Sequence, residues 1–308
     1  MDECCKNWKF DLRGIETKQL EQKWGEICIL INTKDRHSEV FGLLQSLRTQ
    51  TYQNFSIIIR DESQTPLSTH HPTICLIHAL KYEGHKVLLK DKQQSFGVCY
   101  ARNEIIKDLF EWNPNVQLVM RCDDDVLLTK DYIERLVKVI DKGYDMASGV
   151  VPLLQQPKFE RENKFLGKII NEHQFNDKGE LTLLKDECGY CYLDEGIYPT
   201  PHFRTNCLMK IDVAKKCTYP QWLSTVGFRE EGFYSFQAIL HGFVIGVDVQ
   251  AIAFHLQTPS GGVRTPDYSQ KVQVDHESFV KWCKEHYEKN GDFLKQYEKT
   301  LQEKGLLK

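Results

Sequence analysis

Neither sign of charge dominates this 308-residue chain: 40 Lys and Arg stand against 43 Asp and Glu, a net charge of −3. That balance excludes a protein that coats nucleic acid, which needs a concentrated positive surface. Long apolar runs are missing too. The longest, such as residues 27–31, fall far short of the roughly 20 residues that span a bilayer, so no transmembrane segment is predicted. Residues 1–25 mix acids and bases (Asp2, Glu3, Lys6, Lys9, Asp11, Arg13, Glu16, Lys18) and hold no apolar stretch of the kind that marks a cleaved leader. The expected compartment is the cytoplasm, with peripheral contact to a membrane left open. No internal repeat, linker or low-complexity tract interrupts the chain. Its 41% hydrophobic and 27% charged content is ordinary for a globular protein. The length admits one large α/β domain or two small ones.

Cysteine is plentiful but unpatterned. Eleven are present, an odd number that cannot all pair internally. Cys28, Cys75, Cys99 and Cys122 each lie in or beside an apolar stretch, as buried free thiols do in a chain without an export signal. Cys188-Gly-Tyr-Cys191, with His202 and Cys207 downstream, offers ligand types that suit tetrahedral zinc. A single C-x-x-C without a clean second pair favours reduced thiols over a metal clip.

What is present is an alternation of short apolar runs and helical patterns. Residues 27–32, 55–60, 86–90, 116–121 and 145–151 read as buried strands. Between them, a stripe of 3.6-residue period after Ser38 (Val40, Phe41, Leu43, Leu44, Leu47) and the segments 72–82, 98–110 and 130–142 read as helices. Ser38 is the expected N-cap of the first. Such strand–helix–strand units predict a Rossmann-like, mostly parallel sheet with helices on both faces, whose ligands sit at the carboxyl ends of the strands. Beyond residue 155 the pattern weakens. Asn176-Asp177-Lys178-Gly179 suggests a hairpin turn. Residues 202–211 read as a returning strand, 233–241 as a helix stopped by Gly242, and 244–247 and 249–255 as two strands. A Gly-rich loop, 260–264, precedes a charged amphipathic tail.

Two polar clusters fall at strand ends: Asp61-Glu62-Ser63 and Asp123-Asp124-Asp125. Adjacent carboxylates repel, and hard divalent cations such as Mg²⁺ or Mn²⁺ compensate them while keeping phosphate oxygens as further ligands. Strand alternation would put Asp123 and Asp125 on one side and Asp124 on the other.

At this point the chain resembles the family-two glycosyltransferases of the GT-A fold. The opening strand followed by Thr33-Lys34-Asp35-Arg36 is similar to that family's nucleotide loop. Ser46-Leu47-Arg48-Thr49-Gln50-Thr51-Tyr52 is similar to its S-L-x-x-Q-T-Y stretch. Asp61-Glu62-Ser63 stands where the family has D-D-G-S, Gly97 and Ala101-Arg102-Asn103 resemble its G-x-x-x-A-R-N, and Asp123 to Asp125 match its D-x-D. Glu230-Glu231, followed by Tyr234, Gln237 and Gly242, resembles E-D-x-x-L-x-x-R-x-x-x-x-G with two replacements.

The resemblance implies a hexosyltransferase-type enzyme that moves a sugar from a nucleotide-diphospho-sugar (UDP favoured, GDP admitted) to a glycan, lipid-linked or protein acceptor, using Mn²⁺ or Mg²⁺. It implies that Asp61 meets the nucleobase, with Thr33, Asp35 and Arg36 lining the pocket. Asp123 would hold the ribose or the metal's water shell, with Asp124 and Arg102 near the nucleotide. Asp123, Asp125 and His255 form the implied metal set, and Arg264 would close over the diphosphate. Inverting transfer needs a carboxylate to take the acceptor's proton; Glu231 is the expected base, with Glu230 second. Residues 202–206 and 219–222 are expected to face the acceptor. The expected layout is an extension at 1–25, a GT-A domain at 26–265 (donor half 26–151, acceptor and catalytic half 152–265) and a helical tail at 266–308.

Two other readings remain: a non-catalytic nucleotide-sugar or glycan-binding protein of the same fold, and a sugar nucleotidyltransferase, whose Gly-rich signature is absent after residues 27–31. A haloacid-dehalogenase phosphohydrolase would need Thr or Val at Leu127.

Overall fold

The computed structural model describes residues 21–155, 160–161, 169–183 and 186–307; residues 1–20 of the expected extension lie outside them. Strands β1 (Ile27–Thr33), β2 (Phe55–Asp61), β3 (Val87–Asp91) and β4 (Leu118–Cys122) pair in parallel, as β3-β2-β1-β4. All seven residues of β2 are buried, and Ile27, Ile29 and Ile31 of β1 are fully so. Continuous apolar runs of this kind belong to a sheet covered on both faces. The short β5 (Val126–Leu128) follows the acidic triplet, and β6 (Met146–Val150) lies further across the sheet.

The irregular half adds β7 (Glu160–Arg161), β8 (His173–Phe175), β9 (Leu181–Leu183), β10 (Cys191–Tyr192), β11 (Ile197–Pro199), β12 (Cys207–Lys210) and β13 (Ile245–His255). Between β4 and β6 runs β12, antiparallel to both; the order is β11-β13-β6-β12-β4-β1-β2-β3, with β5 on β13. Strands β8 and β9 form the hairpin expected around Asn176. Asn176 Oδ1 accepts from Lys178 N and Glu180 N, and Gly179 takes φ +71°.

The helices are α1 (His37–Arg48), α2 (His71–Tyr82), α3 (Val98–Trp112), α4 (Tyr132–Asp141), α5 (Ile211–Lys216), α6 (Glu230–Leu240), α7 (Tyr268–Asn290) and α8 (Phe293–Glu303). They surround the central sheet, as the mixed α/β reading requires.

Three local expectations change. Helix α1 begins at His37, so Arg36 takes the cap position and Ser38 lies inside the helix. The two strands expected near the end are one, β13, whose register against β6 shifts between Val247 and Ile252. Asp248, which breaks the apolar run, is buried there and faces Arg135 of α4 at 3.5 Å. The charged tail is no loose appendage either: Phe279, Cys283, Phe293, Leu294, Tyr297 and Leu301 enter the main core. Cys188 and Cys207 are free, buried thiols, Cys191 is buried, and Asn171 Nδ2 donates to Cys188 Sγ at 2.8 Å.

Candidate active site at the strand ends

Strand order reverses between β1 and β4, and there the carboxyl ends of the two strands diverge to leave a crevice. A cleft of about 260 Å³ occupies it, walled by the β1–α1 loop, the start of α3, Asp123 to Asp125, residues 226–231, His255 and the 262–264 loop. Of the expected site residues, Thr33, Arg36, Arg102, Asp123, Asp124, Asp125, Glu230, Glu231, His255 and Arg264 line it together. Asp35 and Asp61 are set apart from the lining. Asp61 is buried with both oxygens engaged, one by Ser63 N and Oγ and the other by Leu67 N; the acid that reaches the cleft there is Glu62. Asp35 takes φ +54° and accepts from Gln64 N, which fixes the loop against the end of β2.

The acidic triplet does not alternate as a strand would. β4 ends at Cys122, and residues 123–125 turn, which sends Asp124 and Asp125 to the same partner. Arg36 Nη1 lies 2.9 Å from Asp124 Oδ1 and 2.9 Å from Asp125 Oδ2, while Thr33 Oγ1 donates to Asp124 Oδ2 at 2.8 Å. Burial pushes the Asp124 carboxyl up to about 6 against the pull of Arg36. Asp123 turns the other way, to Arg102 Nη2 (2.9 Å) and Arg121 Nη2 (3.2 Å). Burial opposes its charge too, but Arg121 and Arg102 outweigh that and hold it down to about 2.

β13 delivers His255 to the same place. Leu256 N donates to Asp125 O, and His255 Nε2 lies 3.3 Å from Asp125 Oδ2. Burial disfavours the imidazolium, yet the bond to Asp125 raises its pKa overall. The spacing suits a shared ion: neighbouring ligands of an octahedral Mg²⁺ with bonds near 2.1 Å stand about 3 Å apart. No three His, Cys, Asp or Glu side chains among the described residues converge as a closed cage, at this position or around Cys188 and Cys191. The donor set therefore fits an ion completed by phosphate oxygens and water.

The second charged group centres on Arg121, which sequence reasoning missed. Its Nη2 reaches Glu230 Oε1 (2.8 Å) and Glu231 Oε1 (3.1 Å) as well as Asp123. An arginine closing a buried apolar strand was the available signal, because such a charge needs anions around it. Glu230 is also held by Arg102 (3.0 Å), and burial pushes it up to about 7 despite both guanidiniums. For Glu231, burial is outweighed by Arg121, so its carboxyl stays below the usual range. Its side chain is 24% exposed against 5% for Glu230. Both acids open α6, where the helix dipole favours negative charge.

Two glycines fit where they stand for steric reasons. Gly97, with φ +105°, caps α3; a Cβ there would lie 2.7 Å from Thr225 Cα. Gly262, with φ +61°, rests on the Arg36 guanidinium and donates to Lys34 O at 2.7 Å, folding the 260–264 loop onto the nucleotide loop. Arg264 is exposed over the Tyr268 ring. On the expected acceptor side, Tyr219 is buried beneath Arg102 and Arg121 rather than on the cleft surface, whereas Trp222 is 58% exposed against Phe233.

A doubly wound sheet with an acidic turn at its switch point is the architecture of the GT-A glycosyltransferases. The chain belongs to glycosyl transferase family 2, whose sequence pattern matches residues 28–193, just over half of its length. Its fold is similar to that of GalNAc-T7 solved with UDP, GalNAc and Mn²⁺ (TM-score 0.55, 13% identity, over 91% of this chain and 55% of that one). It is also similar to S. aureus TarS 1-349 in complex with UDP-GlcNAc (TM-score 0.49, 13% identity, over 81% and 65%). At this identity the likeness is one of fold, and the chain spans less than two thirds of either structure's length. No curated protein sequence matches. No helix among the described residues is long and apolar enough to cross a membrane.

Proposed function

We propose that the chain is a metal-dependent, inverting glycosyltransferase of the hexosyltransferase type. Its donor is a nucleoside-diphospho-sugar, with UDP preferred, and its acceptor a hydroxyl of a glycan, lipid-linked or protein substrate. The observation that carries this reading is the cleft, where an Asp–His pair, flanking arginines and a partly exposed glutamate meet at the switch point.

Asp125 and His255 would hold Mn²⁺ or Mg²⁺, which supplies positive charge against the departing diphosphate. Arg264, on its Gly-flanked loop, pairs with a phosphate as the bond breaks, since a guanidinium matches phosphate bidentately. Thr33 and Asp124 orient the sugar-proximal part of the nucleotide, and Glu62 is better placed than Asp61 to meet the base. Glu231 takes the acceptor's proton while the oxygen attacks the anomeric carbon. Arg121 keeps that carboxylate ionised and aimed, and Glu230 anchors Arg121 and Arg102 beneath it. The pKa of Glu230, near 7, is the one observation favouring it as base instead; its burial counts against it.

Thermal denaturation with nucleoside diphosphates, with and without Mn²⁺, tests the reading. Stabilisation by ligand at a hundred times its Kd amounts to about 2.7 kcal/mol. We expect a shift with one nucleotide that deepens with Mn²⁺, and loss of the metal-dependent part in Asp125→Ala. No shift with any nucleotide, or an unchanged metal response in the variant, would sink it.

A further inference from the structure

Arg229 stands directly before Glu230 and Glu231, lines the cleft, and holds a left-handed backbone (φ +69°) at the cap of α6. Arg36, Arg102 and Arg121 are each tied to two or more carboxylates. Arg229 differs. Among the described residues its guanidinium has no ion pair or hydrogen bond and stands over the Phe228 ring, and its Nε, like those of Arg102 and Arg121, is buried without a partner.

The acids nearest it are shared with other arginines. Glu231 is engaged by Arg121, and Asp186 lies 3.5 Å from Arg204. Burial outweighs Asp186 and Glu231, the acids that favour its charge, and the nearby Arg204 adds to the opposition. Beside this group lies His202, nine-tenths buried, whose Nδ1 also lacks a partner and whose ring stands 5.6 Å from that of His173. A buried donor left unmade is costly unless something binds there. The position, two residues before the proposed base and on the lining of the same cleft, suits an acceptor.

We propose that the acceptor carries an anionic group, a carboxylate or a phosphate ester, close to the hydroxyl that receives the sugar, and that Arg229 binds it. This rests on the glycosyltransferase reading. A guanidinium fork donates two parallel hydrogen bonds to either anion.

The test loads the full chain with Mn²⁺ and a saturating nucleoside diphosphate chosen from UDP, GDP, CDP and ADP by thermal shift, which blocks the diphosphate subsite. Glucose, glucuronate and glucose 6-phosphate are then titrated calorimetrically. We expect at least one acidic sugar to bind about tenfold or more tightly than glucose. The two acidic arms separate a carboxylate from a phosphate preference. Arg229→Gln removes the difference while keeping the nucleotide shift. Arg229→Lys, which keeps charge but loses the fork, retains part of the preference and covers the case in which the Gln variant fails to fold. Equal binding of neutral and acidic sugars to nucleotide-loaded protein overturns the proposal alone, as does an acidic preference that survives in Arg229→Gln. Absence of any nucleotide shift overturns the glycosyltransferase reading, and this proposal with it.

Discussion

The two walls of the cleft are built on opposite terms. On the donor wall each buried acid carries a partner: Asp61 its loop amide and hydroxyl, Glu62 Arg60, Asp123 its two arginines, and Asp124 and Asp125 Arg36. On the proposed acceptor wall, Arg229 has no ion pair among the described residues, and its Nε and His202 Nδ1 lack partners, as Arg102 Nε and Arg121 Nε do elsewhere in the cleft. The acids of the first wall are paired before anything binds. The second keeps unmet hydrogen-bonding capacity, at a cost of about 1–3 kcal/mol for each buried group, which a ligand's own polar atoms recover.

The contrast can be broken most severely at Arg121. Arg121→Ala strips one guanidinium from Asp123, Glu230 and Glu231 at once and leaves buried charge uncompensated. We expect a loss of about 3–5 kcal/mol in urea denaturation; a loss under 1 kcal/mol would mean that the network is not strongly coupled.

Glu231→Gln comes next. Transfer should fall by about 10²–10⁴-fold with the nucleotide-induced thermal shift intact, and retained transfer would move the role elsewhere. The pH profile separates the two adjacent acids. The carboxyl of Glu231 lies below its ordinary 4.5, held there by Arg121 against burial, whereas that of Glu230 is raised to about 7. A base must be unprotonated. If Glu231 serves, kcat/KM stays level as pH falls through neutrality and drops only below about 4.5. The Glu231–Arg121 pair likewise stabilises the fold above that value and is lost as pH falls through the depressed one. An acidic limb near 7 would assign the chemistry to Glu230.

The smallest effect has the opposite sign. Arg229→Gly relieves a left-handed residue and removes no ion pair, so the fold should gain up to about 1 kcal/mol. A loss of stability would show that Arg229 is held by its surroundings after all.

The donor wall was also the legible one. Its strands are mostly apolar runs, and β1 and β4 end in the polar residues that build the site, so the pattern places Asp123 to Asp125 at a strand end. The acceptor wall hid itself for physical reasons. β12 enters antiparallel between two parallel strands, a pairing between distant segments that no local period encodes. Asp248 split β13 on paper because its partner, Arg135, lies on another element. Arg121 looked like the end of a strand, since its three anions lie two and about 110 residues away.

The last two helices bear on more than stability. Asp275 of α7 accepts from Ser224 N and Oγ and from Phe228 N, three bonds that set the turn from which Arg229 and α6 depart. Phe233 of α6 packs edge-on against Phe279 and Trp282 of the same helix. A segment that reads as a charged appendage thus serves as a splint for the proposed base. The aim of Glu231 is set from about 45 residues downstream.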